Sequence, residues 1–172
     1  MRLFVAIPLP DSITDKLHAV QGQIKRVGCN MNYAKDFHLT LLFLGDCDGH
    51  GQIIHALSSL TFSPFKLSLS DIGIFPNWQN PKVVWVGLIA PDELFTLQRS
   101  IETALNHPPD KPFNPHLTVG RVKYIKNKRN FKDILANTKV QKKSFVVNEF
   151  QLIESTLTPE GPVYHILKTF KA

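Results

Sequence analysis

Two stretches decide how this chain folds: FHLTLLFLG over residues 37–45 and PHLTVGRVK over residues 115–123. Each contains the tripeptide His-Leu-Thr, at His38 and at His116, within an apolar run that predicts a β-strand. A single His-X-Thr occurs by chance rather often, whereas the same tripeptide twice in matching surroundings does not. We therefore take this pair as the main signal in the sequence.

The sequence that precedes each tripeptide is repeated as well. A predicted strand, Leu3–Ile7 or Val84–Leu88, is followed by a Pro-Asp pair, which is typical of a helix start. A helical pattern then leads into the His-Leu-Thr strand, with the aspartate 27 residues before the histidine in one unit and 24 in the other. Two lobes related by a pseudo-twofold axis would place the two histidines opposite each other.

Predicted strands and helices alternate along the whole chain. The strands fall at 3–9, 39–44, 65–74, 83–89, 116–122, 145–154 and 163–170, and the helices at about 11–27, 50–60, 92–106 and 129–136. This order indicates an α/β or α+β sandwich rather than a helical bundle or an all-β barrel. We expect a single bilobal domain over residues 1–172, with halves of roughly 1–80 and 81–172 and a hinge at the turn-rich segment 75–81.

The alternation of side chains along a strand gives the two tripeptides a chemistry. His38 and Thr40 share one face of their strand, as do His116 and Thr118, while the intervening leucines point to the core. Two imidazoles across a cleft can divide the acid and base roles near neutral pH. Two hydroxyls can donate hydrogen bonds to the non-bridging oxygens of a phosphate. The set suits in-line attack on a phosphodiester.

Each tripeptide has one further candidate site residue, five positions after its histidine. Arg121 lies five residues after His116, where it could contact phosphate, and Phe43 lies five residues after His38, where it could stack on a base. A surface cation and a core phenylalanine are the simpler interpretations. Strict alternation turns both side chains away from the histidines unless each strand contains a bulge.

Positive charge is concentrated directly after the second tripeptide. Residues 111–143 contain ten Lys and Arg and one acidic residue, Asp133, whereas the whole chain has a net charge of +6. Such a segment attracts phosphates and polyanions, although a solvated lysine-rich surface has the same composition.

Other features exclude several classes of protein. The 172 residues, 43% of them hydrophobic, contain no apolar run of the roughly 20 residues needed to cross a bilayer. The first residues break at Pro8 and Pro10 and lack the pattern of a signal peptide. Cys29 and Cys47 are too few for a disulfide framework, so we expect reduced thiols in a cytoplasmic protein. Neither tripeptide has a carboxylate or thiol at ligand spacing, so we expect no metal.

The chain resembles the two-histidine phosphoesterases, specifically the bacterial 2′-5′ RNA ligase/RNA 2′,3′-cyclic phosphodiesterase family. The resemblance runs almost end to end and is carried by these segments: Arg2–Ile7, Phe37–Gly45, Gly73–Pro76, Val84–Gly87, Phe113–Arg121, Glu154–Ser155 and Gly161–Tyr164. The paired HxTx motifs are specific, and the other segments mainly report the fold. The sequence departs from the family at Asn32-Tyr33, where Arg-Trp is usual, and at Lys82, which is often Arg.

The resemblance implies a bilobal α+β fold and the hydrolysis of terminal RNA 2′,3′-cyclic phosphates to 2′-phosphates. It also implies an ATP-independent, reversible 2′-5′ joining of RNA, with no metal and no cofactor. It assigns His38 as the proton donor to the leaving 3′ oxygen and His116 as the acceptor from water. Family precedent adds Arg121 and Phe43 to the substrate site. We expect the chain to act as a monomer on RNA with 2′,3′-cyclic phosphate ends.

Two alternatives keep the same residues but change the function. The first is a phosphodiesterase that acts on a small cyclic-phosphate nucleotide, such as an ADP-ribose cyclic phosphate. The second is a non-catalytic RNA- or nucleotide-binding module. The charged segment favours a polyanion over a small nucleotide, and the intact second tripeptide argues against a module that only binds.

Overall fold

The computed structural model describes residues 1–25 and 29–172, which form nine β-strands and four α-helices. In chain order these are β1 (Arg2–Pro8), α1 (Asp11–Ile24), β2 (Cys29–Tyr33), β3 (His38–Asp46), α2 (Gly51–Ser58), β4 (Phe65–Phe75), β5 (Val83–Ile89), α3 (Asp92–Leu105), β6 (His116–Ile125), α4 (Lys128–Asn137), β7 (Ser144–Val147), β8 (Glu149–Thr158) and β9 (Gly161–Lys171). No helix among these residues is long and apolar enough to cross a membrane.

The strands form two antiparallel sheets. The first sheet has the order β3-β1-β8-β9, and the second has the order β2-β6-β5-β4-β7. Helices α2 and α3 lie near the first sheet, and α1 and α4 near the second. The predicted α+β class is therefore confirmed, and each HxTx motif begins a strand of a different sheet.

The sheets do not divide the chain into two consecutive halves. Strands β2 and β4 come from the first half of the sequence but pair in the second sheet, while β8 and β9 return to the first sheet. The predicted hinge at residues 75–81 is wrong for the same reason. It joins β4 to β5, which are hydrogen-bonded neighbours in one sheet, so it is a hairpin connection rather than a link between lobes.

The helix starts follow the prediction closely. Both α1 and α3 begin at the aspartate of a Pro-Asp pair, Asp11 and Asp92, and both are 14 residues long. The preceding prolines have extended backbone angles, and the aspartates lie in the first turn, where a negative charge complements the helix dipole. The predicted end of the first helix at residue 27 lies outside the described residues.

The prediction lacks one strand and merges two others. The strand β2 was not predicted because its sequence, Cys-Asn-Met-Asn-Tyr, contains two asparagines and only one fully buried residue. The predicted strand 145–154 is two strands, β7 and β8, which separate at Asn148 and join different sheets.

Both HxTx strands contain a β-bulge at the same place. The consecutive residues Val5 and Ala6 of β1 pair with Leu42 and Thr40 of β3, so Leu41 is an extra residue with no partner in β1. In the same way, the consecutive residues Val84 and Trp85 of β5 pair with Gly120 and Thr118 of β6, so Val119 is the extra residue. The first six residues of β3 and β6 consequently share one burial pattern, with two consecutive buried positions in the middle.

A buried glutamine binds each bulge through the carbonyl oxygen of its extra residue. The Gln21 amide of α1 donates to Val119 O at 2.9 Å and to Ala34 O at 2.8 Å. The Gln98 amide of α3 donates to Leu41 O at 3.3 Å and also to the carboxylate of Glu102. Both glutamines are only 3% exposed. Leaving a buried carbonyl unpaired costs roughly 1–3 kcal/mol, and Val119 O has a second donor in the backbone N–H of Ala34 at 3.0 Å.

We predict that Gln98→Leu and Gln21→Leu each destabilise the protein by about 1–3 kcal/mol, because each removes a buried amide donor. Gln98→Leu removes the hydrogen bond to Leu41 O. Gln21→Leu removes those to Ala34 O and Val119 O, although Val119 O keeps the backbone N–H of Ala34. The measurement is urea unfolding, with Gln52→Leu on the exposed surface of α2 as the control. Equal stability of the three variants would show that the glutamine–bulge hydrogen bonds contribute nothing.

Candidate active site

The bulge in β3 keeps three side chains on one face of the first sheet. His38 pairs with Pro8, Thr40 with Ala6 and Phe43 with Phe4 across the β1–β3 ladder. Because opposite residues point to the same side and β1 alternates regularly, all three side chains share the face of Phe4. Strict alternation would turn Phe43 away from His38 unless the strand were bulged, and β3 has such a bulge. Phe43 is 48% exposed, and its ring stacks with that of Phe4 at 6.1 Å.

The bulge in β6 has the same effect on the second sheet. His116 pairs with Gly87, Thr118 with Trp85 and Arg121 with Val83. Residues 83, 85 and 87 alternate regularly along β5, so His116, Thr118 and Arg121 share one face. Arg121 is exposed and does not turn away from His116 as strict alternation would require.

The two sheets bring these faces close to each other. Strands β3 and β6 lie in contact although they belong to different sheets. Burial raises the pKa of the Tyr164 hydroxyl and Asp36 raises it further, while the Arg121 and Arg2 guanidiniums oppose both effects. Tyr164 belongs to the first sheet and Arg121 to the second, so a guanidinium of one sheet lies near enough to influence the pKa of a hydroxyl of the other.

His38 lies in an aromatic environment. Its ring centroid is 4.9 Å from that of Phe4 and 5.1 Å from that of Tyr164, which it meets edge to face. Burial among these groups lowers the pKa of His38 to about 4, against a smaller opposing effect of the Asp36 carboxylate. In the free protein the imidazole is therefore neutral at pH 7.

His116 is held in a different way. Its Nδ1 lies 2.7 Å from the carbonyl oxygen of Asn114. Because a carbonyl only accepts, Nδ1 must carry a proton, which leaves Nε2 with a free lone pair in the neutral ring. Phe75 meets the imidazole edge to face at 4.9 Å, and Trp85 lies 6.1 Å away.

The Trp85 indole lies over two glycines. A Cβ atom on Gly73, its partner in β4, would overlap the indole ring, and one on Gly87 would come within 3.3 Å of it. The indole Nε1 is buried and has no hydrogen-bond partner among the described residues. Packing against Phe75 at 4.8 Å, rather than a hydrogen bond, therefore positions this ring beside His116.

The sequence prediction missed the residues that surround the two imidazoles. Four aromatic rings pack against them. Phe4 and Tyr164 pack against His38, and Phe75 and Trp85 pack against His116. Only the glycines at positions 73 and 87 signalled such packing, since a glycine within a strand often marks a close approach by another group.

This arrangement can supply acid–base chemistry and anion binding at one place. Each sheet contributes an imidazole and a half-buried threonine, and one of them adds an exposed guanidinium. Within residues 1–25 and 29–172, no three His, Cys, Asp or Glu side chains are grouped in a way that could hold a metal ion. Both cysteines are free thiols.

Two facing antiparallel sheets, each with a bulged HxTx strand, define the class of two-histidine phosphoesterases. The chain belongs to the 2′-5′ RNA ligase superfamily, whose sequence model matches residues 9–158. The predicted resemblance, and with it the assignment to an enzyme family, is confirmed.

Relatives match over nearly the whole chain. The RNA 2′,3′-cyclic phosphodiesterase of Archaeoglobus fulgidus is 39% identical, covering 99% of this chain and 100% of the relative. That of Methanocaldococcus jannaschii is 34% identical, covering 98% and 99%. Among solved structures, TT0787 of Thermus thermophilus has a TM-score of 0.78 at 29% identity, covering 99% of this chain and 97% of that one. Escherichia coli LigT complexed with 3′-AMP has a TM-score of 0.77 at 25% identity, with the same coverage.

The low pKa of His38 predicts a loss of stability in mild acid. Above the unfolded value of 6.5 the imidazole is neutral in both states, whereas between 6.5 and about 4 only the unfolded chain takes up the proton. Between pH 7 and pH 5 the wild type should therefore lose about 2 kcal/mol more unfolding free energy than His38→Gln. Urea unfolding at both pH values measures this difference. Parallel losses in the two proteins would contradict the buried, neutral state of His38.

Proposed function

We propose that this protein hydrolyses the 2′,3′-cyclic phosphate ends of RNA to 2′-phosphates, without a metal, by acid–base catalysis at His38 and His116. The observation that carries the proposal is the matched pair of bulged strands: each has an imidazole and a hydroxyl on one face of its sheet, and the two strands are in contact. The relatives named RNA 2′,3′-cyclic phosphodiesterase support the choice of substrate.

The reaction assigns one proton transfer to each histidine. His116 Nε2 accepts a proton from water, and the water oxygen forms a bond to phosphorus. The bond from phosphorus to the 3′ oxygen breaks, and His38 donates a proton to that oxygen. The products are a 2′-phosphate and a free 3′ hydroxyl, and the two histidines return to their starting states by exchange with solvent. The hydrogen bond between His116 Nδ1 and Asn114 O supports this role because, in the neutral imidazole, it fixes the ring proton on Nδ1 and leaves the lone pair on Nε2.

The other four site residues stabilise and orient the phosphate and the base. Thr40 and Thr118 donate hydroxyl hydrogen bonds to the non-bridging oxygens, and the Arg121 guanidinium offsets the negative charge that grows during attack. Phe43 stacks on the terminal base, and its exposed ring, which has the Arg2 guanidinium 5.2 Å from its centroid, is suited to this contact.

The donor role of His38 requires that the substrate change its protonation. Burial lowers its pKa to about 4, so in the protein without substrate this imidazole is almost entirely unprotonated at pH 7. An anionic phosphate beside the ring favours the imidazolium and raises this pKa. Substrate binding and proton uptake by His38 are therefore coupled.

The charge distribution favours RNA over a small nucleotide. Residues 111–143 have a net charge of +9, spread from the residues before β6 to the end of α4 and beyond. This positive charge is far more than one phosphate group requires. The same site also permits 2′-5′ joining without ATP, in which the 5′ hydroxyl of a second RNA replaces water as the attacking group. We place the protein in the cytoplasm as a monomer, since both cysteines are free and one chain contains both histidines.

We expect an RNA oligonucleotide with a 2′,3′-cyclic phosphate end to be opened to the 2′-phosphate in excess EDTA. His38→Ala and His116→Ala should each lose roughly 10²–10⁴-fold in rate, because each removes a general acid or base. His55→Ala, on the exposed surface of α2, is the matched control.

Three results would contradict this proposal: a 3′-phosphate product, inhibition by EDTA, or more than about a tenth of the wild-type rate in His116→Ala. Binding of the oligonucleotide without turnover would favour the module that only binds. Faster turnover of a small cyclic nucleotide than of RNA, at two salt concentrations, would favour the small substrate.

A second prediction tests the division of roles. The imidazole of His38, followed by NMR, should titrate near pH 4 in the free protein and at a higher pH when a nucleoside 2′-phosphate is bound. Affinity for this ligand should accordingly rise as the pH falls from neutrality. An unchanged His38 pKa in the complex would reassign the donor role to another group.

A further inference from the structure

The face of the second sheet that contains His116 and Arg121 continues to the far end of β6. Tyr124 pairs with Asn30 of β2, and the next pair is Met31 with Val122. Met31 is 7% exposed and packs in the core, so Asn30 and Tyr124 point to the opposite side. That is the side of Arg121, whose partner in β2 is Asn32.

Tyr124 is an exposed aromatic residue in a cationic neighbourhood. It is 64% exposed, and Lys123 and Lys126 beside it are exposed as well. Aromatic rings with adjacent cations are the usual means of holding single-stranded nucleic acid, because any base can stack on the ring while the cations follow the phosphates. The proposed catalytic mechanism leaves Tyr124 without a role.

The position of Tyr124 sets which part of an RNA it can reach. It lies eight residues after His116 on the same strand. Two of the intervening residues, Val119 and Lys123, are extra residues of bulges, so at about 3.3 Å per regular residue the separation is roughly 20–25 Å. A nucleotide whose cyclic phosphate lies between the histidines does not extend that far. Only an RNA with further nucleotides on the 5′ side of its reacting end reaches the ring.

We propose that Tyr124, with Lys123 and Lys126, forms a second binding site for single-stranded RNA on the 5′ side of the reacting nucleotide. This inference rests on the proposed function, because it takes the reacting end to lie between His38 and His116. Its consequence is selectivity for length: the site strengthens binding of oligonucleotides and leaves mononucleotides unaffected.

The kinetic test compares adenosine 2′,3′-cyclic phosphate with a ten-nucleotide single-stranded RNA that ends in a cyclic phosphate. In Tyr124→Ala, KM for the RNA should rise roughly 5- to 100-fold, the range expected for loss of one base–aromatic stack. The kinetics of the mononucleotide should stay unchanged, and Tyr124→Phe should retain the wild-type KM for RNA. Val146→Ala, an exposed apolar truncation on β7 at the other edge of the sheet, is the control.

A binding measurement separates this inference from the proposed reaction. Fluorescence anisotropy of the same RNA ending in a 2′-phosphate requires no turnover. Tyr124→Ala should weaken binding by a similar factor, and the double variant Lys123→Ala/Lys126→Ala should reduce the salt dependence by about 1.4 in log–log slope. Lys66→Ala/Lys168→Ala, with both residues exposed elsewhere, is the control for charge.

The two possible failures give different results. If neither substrate is hydrolysed, the proposed function fails, and the anisotropy measurement still tests Tyr124. If both substrates are hydrolysed and Tyr124→Ala alters neither KM nor RNA affinity, the second site is disproved, and the exposed ring would then suit a protein partner. Equal losses on the mononucleotide and the RNA would also overturn it, because they would place Tyr124 at the reaction centre.

Discussion

The candidate site depends on one constraint, which is that two consecutive residues in each HxTx strand are buried. In a regular strand, Leu42 and Gly120 would point away from the core, and the fifth residue after each histidine would lie on the wrong face. The extra residues Leu41 and Val119 remove this conflict. They also distort the hydrogen-bond ladder, and a buried glutamine binds the carbonyl oxygen of each extra residue, joined at Val119 O by the backbone N–H of Ala34.

These glutamines connect parts of the chain that are distant in sequence. Gln21 follows β1 of the first sheet but binds the bulge of β6 in the second, and Gln98 follows β5 of the second sheet but binds the bulge of β3 in the first. Each helix therefore stabilises the HxTx strand of the opposite sheet. Strands from both halves of the sequence contribute to each sheet, which adds further connections between the two histidine strands.

Much of this architecture could be predicted from local patterns. The helix starts at Asp11 and Asp92 follow from a short-range signal, and the faces of His38 and His116 follow from strand alternation. The bulges could not be predicted, because Leu-Leu and Val-Gly are equally compatible with a regular strand, and the decisive hydrogen bonds come from helices far away in sequence. The polar strand β2 and the connection at residues 75–81 were misjudged for a similar reason, since pairing partners rather than composition determine their structure.

The two units of the repeat share their geometry but differ in environment, and the proposed reaction uses this difference to give two identical tripeptides unequal roles. His38 lies among Phe4 and Tyr164, where desolvation favours a neutral ring until an anion arrives. His116 has one nitrogen fixed by a backbone carbonyl, which leaves the other as a base. The fifth residue after each histidine differs as well: it is Phe43 in β3 and Arg121 in β6. In the proposed complex, the Phe43 ring of one sheet contacts a base and the Arg121 guanidinium of the other contacts a phosphate.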